Sequence, residues 1–273
     1  MMKNRSTFGF ALLVASFITA SVSGDVIIVS SGTTTTIDFE STLAGSNNGV
    51  FSGAGFTAGA TGAGQLDSNS WSIDGFGNDV VFGADVTSGD AARGTDSDAV
   101  STGGFYAFDA SADGGSVGVG VQPAGSDFTP GDITLRLRNS TGSQVTSFDV
   151  GYALRVYNDQ DRANSFNFQY SFDDANYTDV SALDFTSQAL RNGAPSWELS
   201  SKSSTIDGLN LANGGNLYFR WVGGDVSGTG FRDQFQLDDI SITFNVASVP
   251  EPTSMAMFAV AVASIGFRRR RRR

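Results

Sequence analysis

The chain has no cysteine and no histidine among its 273 residues. It therefore lacks disulfides, thiol nucleophiles and the imidazole that most hydrolytic triads use as a base. Glutamate is scarce as well: only Glu40, Glu198 and Glu251 occur, and none lies in a recognisable catalytic motif. No phosphate-binding loop and no zinc-ligand spacing is present. These absences exclude most enzyme classes, although paired carboxylates are sufficient for glycoside hydrolysis.

Basic residues are few in the body of the chain. Of the 28 acidic residues, 27 lie between Asp25 and Val249, with only nine of the 17 lysines and arginines, so this body has a net charge of −18. A surface of this sign repels phosphates, and we expect no nucleic-acid partner. Solubility or calcium binding is the use that we expect for the charge.

The composition favours strands over helices. The chain has 34 glycines, and its many Ser, Thr, Asn and Asp residues prefer turns and caps to helix interiors. Apolar residues alternate with polar ones in several short segments, which is typical of antiparallel sheets with one dry face. The clearest of these segments are residues 133–138, 145–157, 165–172, 216–222 and 235–244.

These segments predict an all-β protein with a single β-sandwich domain, jelly-roll-like, over residues 25–247. The stretch from Gly45 to Gly64 is rich in glycine and poor in apolar residues. It is interpreted as a long loop or as a set of glycine-rich edge strands. No internal repeat and no shift in composition divides the body, which favours one domain.

The N-terminus has the three parts of a secretory signal peptide. Lys3 and Arg5 provide the positive start, an apolar run extends from Phe8 to Ala20, and small residues follow up to Gly24. We predict that residues 1–24 direct export and are then removed. A buried first helix, the alternative, fits the position and the flanking residues less well.

The C-terminal segment, residues 248–273, begins with a proline-rich linker. Val249 and Glu251 each precede a proline, which disfavours helical ψ, and Pro250 and Pro252 have a fixed φ. The linker is therefore extended, and an extended, exposed segment is what a processing enzyme can bind.

An apolar segment, residues 253–267, follows the linker. Its part from Met255 to Phe267 is about 20 Å long as a helix, against roughly 30 Å of bilayer hydrocarbon. Thr253 and Ser254 extend it, and long basic side chains reach the head groups, so we predict a short transmembrane segment. A cluster of basic residues then keeps this end on the cytoplasmic side and acts as a stop-transfer signal. The cluster consists of Arg268, Arg269, Arg270, Arg271, Arg272 and Arg273.

This three-part tail resembles the PEP-CTERM sorting signal of proteins exported by Gram-negative bacteria. The resemblance rests on the motif Pro250, Glu251 and Pro252, the apolar segment and the terminal arginines. It implies recognition by an exosortase, a membrane-embedded processing enzyme, and removal of the tail. The protein is then expected to be anchored transiently in the inner membrane and to reach the cell surface or the extracellular matrix.

Two strand motifs resemble those of jelly-roll carbohydrate-binding modules: IDFE at residues 37–40 and LDDISI at residues 237–242. In such modules, acidic residues of the first and last strands hold a structural Ca²⁺. The resemblance implies Glu40 and Asp238 as calcium ligands, with Asp239 a lesser candidate, and calcium prefers such oxygen ligands.

Period-two alternation also places Asp238 on the same face as Ile240 and Ile242, so that its carboxylate is buried and needs a cation or several donors. The alternative is that Asp238 pairs with an arginine such as Arg220 or Arg232, or caps a turn.

Two loops combine carboxylates with arginines, NDQDR at residues 158–162 and GTGFRD at residues 228–233. They are candidates for a sugar site, helped by a ring of Trp71, Trp197 or Trp221 stacking on the sugar. Trp221 lies in the run YFRWV at residues 218–222, which favours a place in the core for it instead. The alternative is two solvated loops with surface ion pairs that contribute little energy.

The sequence as a whole predicts a non-enzymatic protein of the cell surface or of the extracellular polymeric layer of a biofilm. Its β-sandwich is expected to act by adhesion or polysaccharide binding, with the exosortase, the polysaccharide and, transiently, the inner membrane as partners. A secreted glycan-active hydrolase that uses Asp and Glu carboxylates is the alternative.

Overall fold

The structure is a computed structural model that describes residues 26–28, 31–59 and 62–246. The predicted signal peptide, residues 1–24, and the predicted tail, residues 248–273, lie outside the described residues, as do the two ends of the predicted domain, residues 25 and 247. Within the described ranges, strands form two seven-stranded sheets and one two-stranded sheet.

The described strands and short helices are numbered in chain order. The strands are β1 (Val26–Ile28), β2 (Thr34–Ile37), β3 (Phe56–Thr57), β4 (Leu66–Asp67), β5 (Trp71–Asp74), β6 (Thr95–Asp96), β7 (Gly104–Asp109), β8 (Val117–Gln122), β9 (Gly131–Asn139), β10 (Val145–Tyr157), β11 (Arg162–Ser171), β12 (Thr178–Asp179), β13 (Phe185–Thr186), β14 (Trp197–Leu211), β15 (Asn216–Gly228) and β16 (Gln234–Val246). Three short 3₁₀ helices span Gly89–Ala91, Ser111–Asp113 and Ser181–Leu183.

Each of the two large sheets combines strands from distant parts of the chain. The first sheet runs β1-β9-β15-β11-β12, with β5 also paired to β9 and β13 also paired to β11. The second runs β14-β10-β16-β8-β7-β6, with β2 also paired to β16. Pairing is antiparallel except for β1 with β9, β6 with β7, and β3 with β4. The prediction of an all-β sandwich is confirmed.

Aromatic rings join the two sheets across the core. Phe148 of β10 lies 5.1 Å from Phe219 of β15, and Phe166 of β11 lies 5.4 Å from Phe235 of β16, between ring centroids. All four side chains are almost completely buried. Each buried ring removes a large apolar area from water, and tilted pairs add about 0.5–1.5 kcal/mol beyond that burial. This shared core is what makes the two sheets one sandwich.

The strands predicted from alternation are all present. β9, β10, β11, β15 and β16 contain the five predicted segments except for Phe172, which follows β11 and is 43% exposed, and most of their apolar members face the core. β14 was not predicted, because its 15 residues are mostly Ser, Thr and charged residues. It pairs with β10 at the end of the second sheet. A polar strand suits that edge, where a single ladder partner leaves the other side open to water.

The glycine-rich stretch from Gly45 to Gly64 packs against the core rather than extending into solvent. Its two phenylalanines, Phe51 and Phe56, are buried, with centroids 6.0 and 5.2 Å from that of Phe105. Gly53 has φ of 64°, and a Cβ there would lie 2.2 Å from the carbonyl oxygen of Gly94. Glycine is required at that point because the two backbones touch.

Candidate functional site

Asp238 lies on the outer face of the second sheet. The register of β16 against β10 shifts at Asp239, which has φ of 50°. A bulge of this kind adds one residue and reverses the alternation of the strand. Leu237 and Ile240, on either side of the bulge, therefore both belong to the core. The prediction that Asp238 shares a face with Ile240 and Ile242 is wrong for this reason.

The carboxylate of Asp238 is fully buried in a polar cluster. Its Oδ2 accepts a hydrogen bond from the Ser116 hydroxyl at 2.6 Å and faces Arg155 Nη1 at 3.4 Å. Its Oδ1 accepts from the backbone N–H of Asp239 at 2.8 Å. Arg155 also donates to Gln236 Oε1 at 3.2 Å, so that the guanidinium is held between two strand side chains.

Burial raises the pKa of Asp238 to about 6, against the lowering effect of the Ser116 hydrogen bond and of the Arg155 charge. The arginine that pairs with it is therefore Arg155. The alternative partners named from the sequence, Arg220 and Arg232, contact other groups, Gln169 and Asp225 respectively. Arg155 was missed because it lies on another strand, 83 residues away in sequence.

The first and last strands of the predicted calcium site are neighbours, as expected: β2 pairs with β16, with Ile37 opposite Ile240. Glu40 and Asp239 are exposed, whereas Asp238 is buried. Among the residues that the structure describes, no group of three or more acidic side chains is arranged to hold a metal ion. A calcium ion held by Glu40 and Asp238 stays a prediction.

The two loops that combine carboxylates with arginines meet at one end of the sandwich. The backbone N–H of Gln160 donates to Asp233 Oδ1 at 3.1 Å. Arg162 and Arg232 both contact the carboxylate of Asp225, at 2.5 and 2.6 Å. The two loops are therefore connected to each other by hydrogen bonds and by ion pairs to the shared carboxylate of Asp225.

The predicted stacking of a tryptophan on a sugar is wrong. Trp71 and Trp221 are fully buried and Trp197 is 4% exposed, so none presents a ring face to solvent. Trp71 and Trp221 belong to the core between the sheets. Trp197 packs instead against Phe108 on the outer side of the second sheet, with centroids 5.0 Å apart.

A set of polar and aromatic side chains, half-buried except for the buried Tyr218, lies on the outer face of the first sheet. We call it the arginine–aromatic face, and it consists of Phe82, Arg136, Gln169, Tyr177, Tyr218 and Arg220. The alternation of β9, β11 and β15 sends their apolar residues into the core, so Arg136, Gln169 and Arg220 point outward. These three side chains are half-buried and reach solvent.

Arg220 is fixed in place on this face. Its guanidinium carbon lies 3.5 Å from the centroid of the Tyr177 ring, which is a cation–π contact. Its Nε and Nη2 both donate to Gln169 Oε1, at 3.0 and 2.6 Å. A guanidinium has five N–H donors, so Arg220 retains donors beyond those used on Gln169.

A second arginine repeats this arrangement on the neighbouring strand. The guanidinium carbon of Arg136 lies 4.6 Å from the centroid of the Phe82 ring. Phe82 in turn lies 6.0 Å from the Tyr218 ring, between centroids. The face thus alternates flat cations with rings, a combination that stacks on the apolar face of a sugar and donates to its oxygens.

Asp132 is the acidic member of the same region. Burial raises its pKa to about 6, Arg220 and the Thr134 hydroxyl lower it, and the charges of Asp74 and Asp174 raise it further. Asp74 is directly opposite Asp132 in the pairing of β5 with β9. Burial is the largest cause of the raised pKa of Asp132, and repulsion between the two carboxylates adds to it.

Part of this face follows from the sequence. The segments at residues 133–138 and 216–222 place Arg136 and Arg220 opposite their apolar residues, but alternation alone does not distinguish a binding face from any other solvent-facing side of a strand. Tyr177 comes from a turn and Phe82 from a loop, and no local pattern brings either ring under an arginine.

A trough of about 340 Å³ lies on the outer face of the second sheet. Hydroxyl side chains dominate its lining, and Asp149 is its one charged group. Hydrogen bonds from Thr205 and Asn245 lower the pKa of Asp149. No aromatic ring lines this trough, so it lacks the stacking surface that the arginine–aromatic face provides.

The C-terminal segment is identified by its sequence. No helix among the described residues is long and apolar enough to cross a membrane, and the apolar segment 253–267 lies outside them. The sequence profile of the PEP-CTERM protein-sorting motif matches residues 248–272. The chain carries a PEP-CTERM sorting tail. The tail implies export and membrane-anchored transit to an exosortase, and the resemblance seen in the sequence is confirmed.

Known structures resemble the body only distantly, and no curated protein sequence matches the chain. The K1 cleaved adhesin domain of Lys-gingipain from Porphyromonas gingivalis is 14% identical, with a TM-score of 0.39 over 78% of this chain and 99% of that domain. The N-terminal cellulose-binding domain of Cellulomonas fimi β-1,4-glucanase C is 13% identical, with a TM-score of 0.32 over 65% of this chain and 90% of that domain.

The enzymatically active domain of a bacteriophage tailspike protein is 7% identical to this chain. Its TM-score is 0.35, and the match covers 65% of this chain and 20% of the tailspike chain. At scores this low, the sandwich assignment rests on the strand pairing described above, and the activities of these proteins do not transfer.

Proposed function

We propose that the chain is a non-enzymatic polysaccharide-binding protein of the extracellular polymeric layer of a Gram-negative bacterium. In this proposal, the signal peptide at residues 1–24 starts export and the tail holds the protein at the inner membrane. An exosortase then removes the tail, and the arginine–aromatic face binds the polysaccharide.

The observation that supports the binding role most strongly is the stack of Arg220 on Tyr177 beside Gln169. A sugar ring presents an apolar face and a rim of hydroxyls, and this stack offers a ring and planar donors to match. Because the cation–π contact and the hydrogen bond to Gln169 already hold the guanidinium, little side-chain entropy is lost when a sugar binds.

Arginine is concentrated on the outer face of the first sheet. Three of the nine basic residues between positions 25 and 249, Arg136, Arg138 and Arg220, belong to the outward members of β9 and β15. The carboxylates of Asp74, Asp132 and Asp174 lie in the same region, so the contribution of these arginines is directional hydrogen bonding rather than net positive charge. A planar guanidinium presents paired N–H donors to ligand oxygens.

A hydrolase is the second candidate, and one observation favours it. Asp132 has a raised pKa of about 6 and lies directly opposite the exposed Asp74 on the neighbouring strand. Glycosidases use such a pair, with one carboxyl group protonated and the other ionised. The absence of histidine does not affect this chemistry.

A glycan array, probed with the purified full chain with and without Ca²⁺, separates the two candidates. We expect glycans to be retained without release of sugar. Release of reducing sugars that is lost in Asp132→Asn would instead establish the hydrolase, and an array without any bound glycan would contradict both.

Processing is tested separately, by mass spectrometry of the C-terminus of the protein isolated from cells and matrix. We expect a C-terminus upstream of Arg268 in the matrix fraction. Recovery of the intact arginine cluster there would contradict removal of the tail, as would normal delivery after replacement of Pro250 and Pro252.

A further inference from the structure

Buried oxygen atoms without hydrogen-bond donors gather at the loop end of the sandwich. This end is formed by the β10–β11 turn, the segment after β13 and the turn before β16. The oxygens belong to Asn158, Asp159, Asn164 and Asp233. They include Asp233 Oδ2, although the Asp233 side chain is fully buried.

Two buried side-chain amides at the same end of the sandwich also have oxygens without a donor. Asn158 is 2% exposed and Asn164 is 1% exposed, and the Oδ1 of each accepts no hydrogen bond. Their Nδ2 groups are engaged: that of Asn158 donates to the Leu190 carbonyl at 3.1 Å, and that of Asn164 to Asp225 Oδ1 at 2.9 Å. These contacts fix the orientation of both amides, and the oxygen of each amide is the atom that has no hydrogen-bond partner.

Hydrogen bonds connect Asp233 with the turn that carries Asn158 and Asp159, and connect it through Ser187 with Asn164. Asp233 Oδ1 accepts from the backbone N–H of Gln160, the residue after Asp159. The Ser187 hydroxyl accepts from the backbone N–H of Asn164 at 3.0 Å and forms a hydrogen bond with the Asp233 carboxylate, which lowers the pKa of Asp233. Ser187 therefore lies between Asn164 and Asp233, and the turn that carries Asp159 closes the other side.

The charge at this end is incompletely balanced. Burial raises the pKa of Asp233 to about 6, and the nearby charge of Asp159 raises it further, against the lowering effects of the Ser187 hydroxyl and of backbone amides. Burial also raises the pKa of Asp159, against the lowering effects of the Gln160 side chain, of a backbone amide and of the charge of Arg191. A buried oxygen that accepts no hydrogen bond is costly, and so is a buried carboxylate without a cation.

We propose that Asn158, Asp159, Asn164 and Asp233 bind a Ca²⁺ ion at the loop end of the sandwich. Two carboxylate and two amide oxygens are the hard ligands that calcium prefers, with water completing its shell. In this proposal the ion is bound by the unpartnered oxygens, adds positive charge beside the buried Asp233 and the half-buried Asp159, and joins the three loops. The affinity expected is that of extracellular calcium modules, a dissociation constant of about 10⁻⁴–10⁻³ M.

This site is separate from the one that the sequence predicts at Glu40 and Asp238, because Asp233 lies in the turn before β16, whereas Asp238 lies within β16 and Glu40 follows β2. It has only two acidic ligands and depends on amide oxygens, so counting carboxylates in the sequence does not find it.

Isothermal titration of the metal-free full chain with CaCl₂ tests the proposal. We expect saturable binding in the wild type and its loss in Asp233→Asn, which keeps the shape of the side chain and removes the charge. Asp161→Asn is the matched control, since it makes the same change on an exposed residue of the same turn, and it is expected to bind as the wild type does.

Asp159→Asn, at a half-buried position, provides the same test if Asp233→Asn does not fold. Asp238→Asn separates the two calcium sites and is expected to leave this binding unchanged. A wild type without saturable binding would overturn the proposal and leave the space to water. Equal binding by the wild type and both ligand variants would also overturn it.

Discussion

The outer faces of the two sheets use the same residue types in opposite ways. On the second sheet, Arg155 and Asp238 form an ion pair with side chains 7% and 0% exposed, covered by the segment that carries Phe108. On the first sheet, Arg220 lies on Tyr177 with its guanidinium accessible to solvent. Both arginines lie near a carboxylate, but Arg155 is buried in its ion pair whereas Arg220 is half-buried and reaches solvent.

This difference shows that composition does not identify a binding face. What separates the two faces is their own outward side chains, because Tyr106 and Phe108 of β7 and Trp197 of β14 form a small apolar cluster on the outer face of the second sheet. On the first sheet, the rings of Phe82 and Tyr177 instead contact arginines. The comparison can be tested by changing the matching residues on each face.

The largest expected effect comes from Arg155→Met. It leaves the buried carboxylate of Asp238 without its cation, and removal of one partner of a buried pair costs about 3–5 kcal/mol in the free energy of unfolding. Arg220→Met, the matched change on the open face, is expected to cost about 1 kcal/mol or less. Urea denaturation measures both, and equal losses would contradict the contrast between the faces.

The next effect comes from Gly120→Ala, at a position of β8 in the second sheet that lies against the Phe108 ring. A Cβ at this position would lie 2.3 Å from the Phe108 ring and 2.5 Å from the Phe235 carbonyl oxygen. Overpacking of this kind costs about 1–3 kcal/mol in the free energy of unfolding. Gly125→Ala is the control, because no atom lies within 4 Å of its added Cβ. A Gly120→Ala protein as stable as the Gly125→Ala control would show that Phe108 is not tightly packed against β8.

A smaller effect, dependent on pH, is expected at Asp132. Its pKa in the folded protein is about 6, above the ordinary value of 3.8, so folding disfavours its charged form. The wild type therefore loses stability relative to Asp132→Asn as the pH rises from about 4 through about 6. Because Asp132 is half-buried, the difference at neutral pH is about 1 kcal/mol.

Thermal denaturation of both proteins across this pH range provides the measurement. The two melting curves are expected to converge below about pH 4. A wild type that gains stability over Asp132→Asn as the pH rises would show that Arg220 dominates the environment of Asp132.

The sequence predicts the sandwich but not its outer faces. Regular alternation locates β9, β10, β11, β15 and β16, because one face of each must be apolar to form the core. β14 has too few apolar residues for that signal.

The orientation of Asp238 depends on the bulge at Asp239, which only strand pairing reveals. The contact of Arg220 with Tyr177, 43 positions apart, is likewise set by tertiary packing. The sorting tail is the opposite case, since its order of proline motif, apolar segment and arginines is wholly local.

Affinity electrophoresis tests the central claim most directly, with the full chain run in gels that contain the extracellular polysaccharide of its own cells. We predict that the polysaccharide retards the wild type and that Arg220→Gln weakens binding about tenfold, the loss of one charged hydrogen-bonding group. Arg191→Gln, the same change on an exposed loop arginine, is expected to be retarded as the wild type is. Equal retardation of all three proteins, or a loss only in Arg191→Gln, would contradict binding by the arginine–aromatic face.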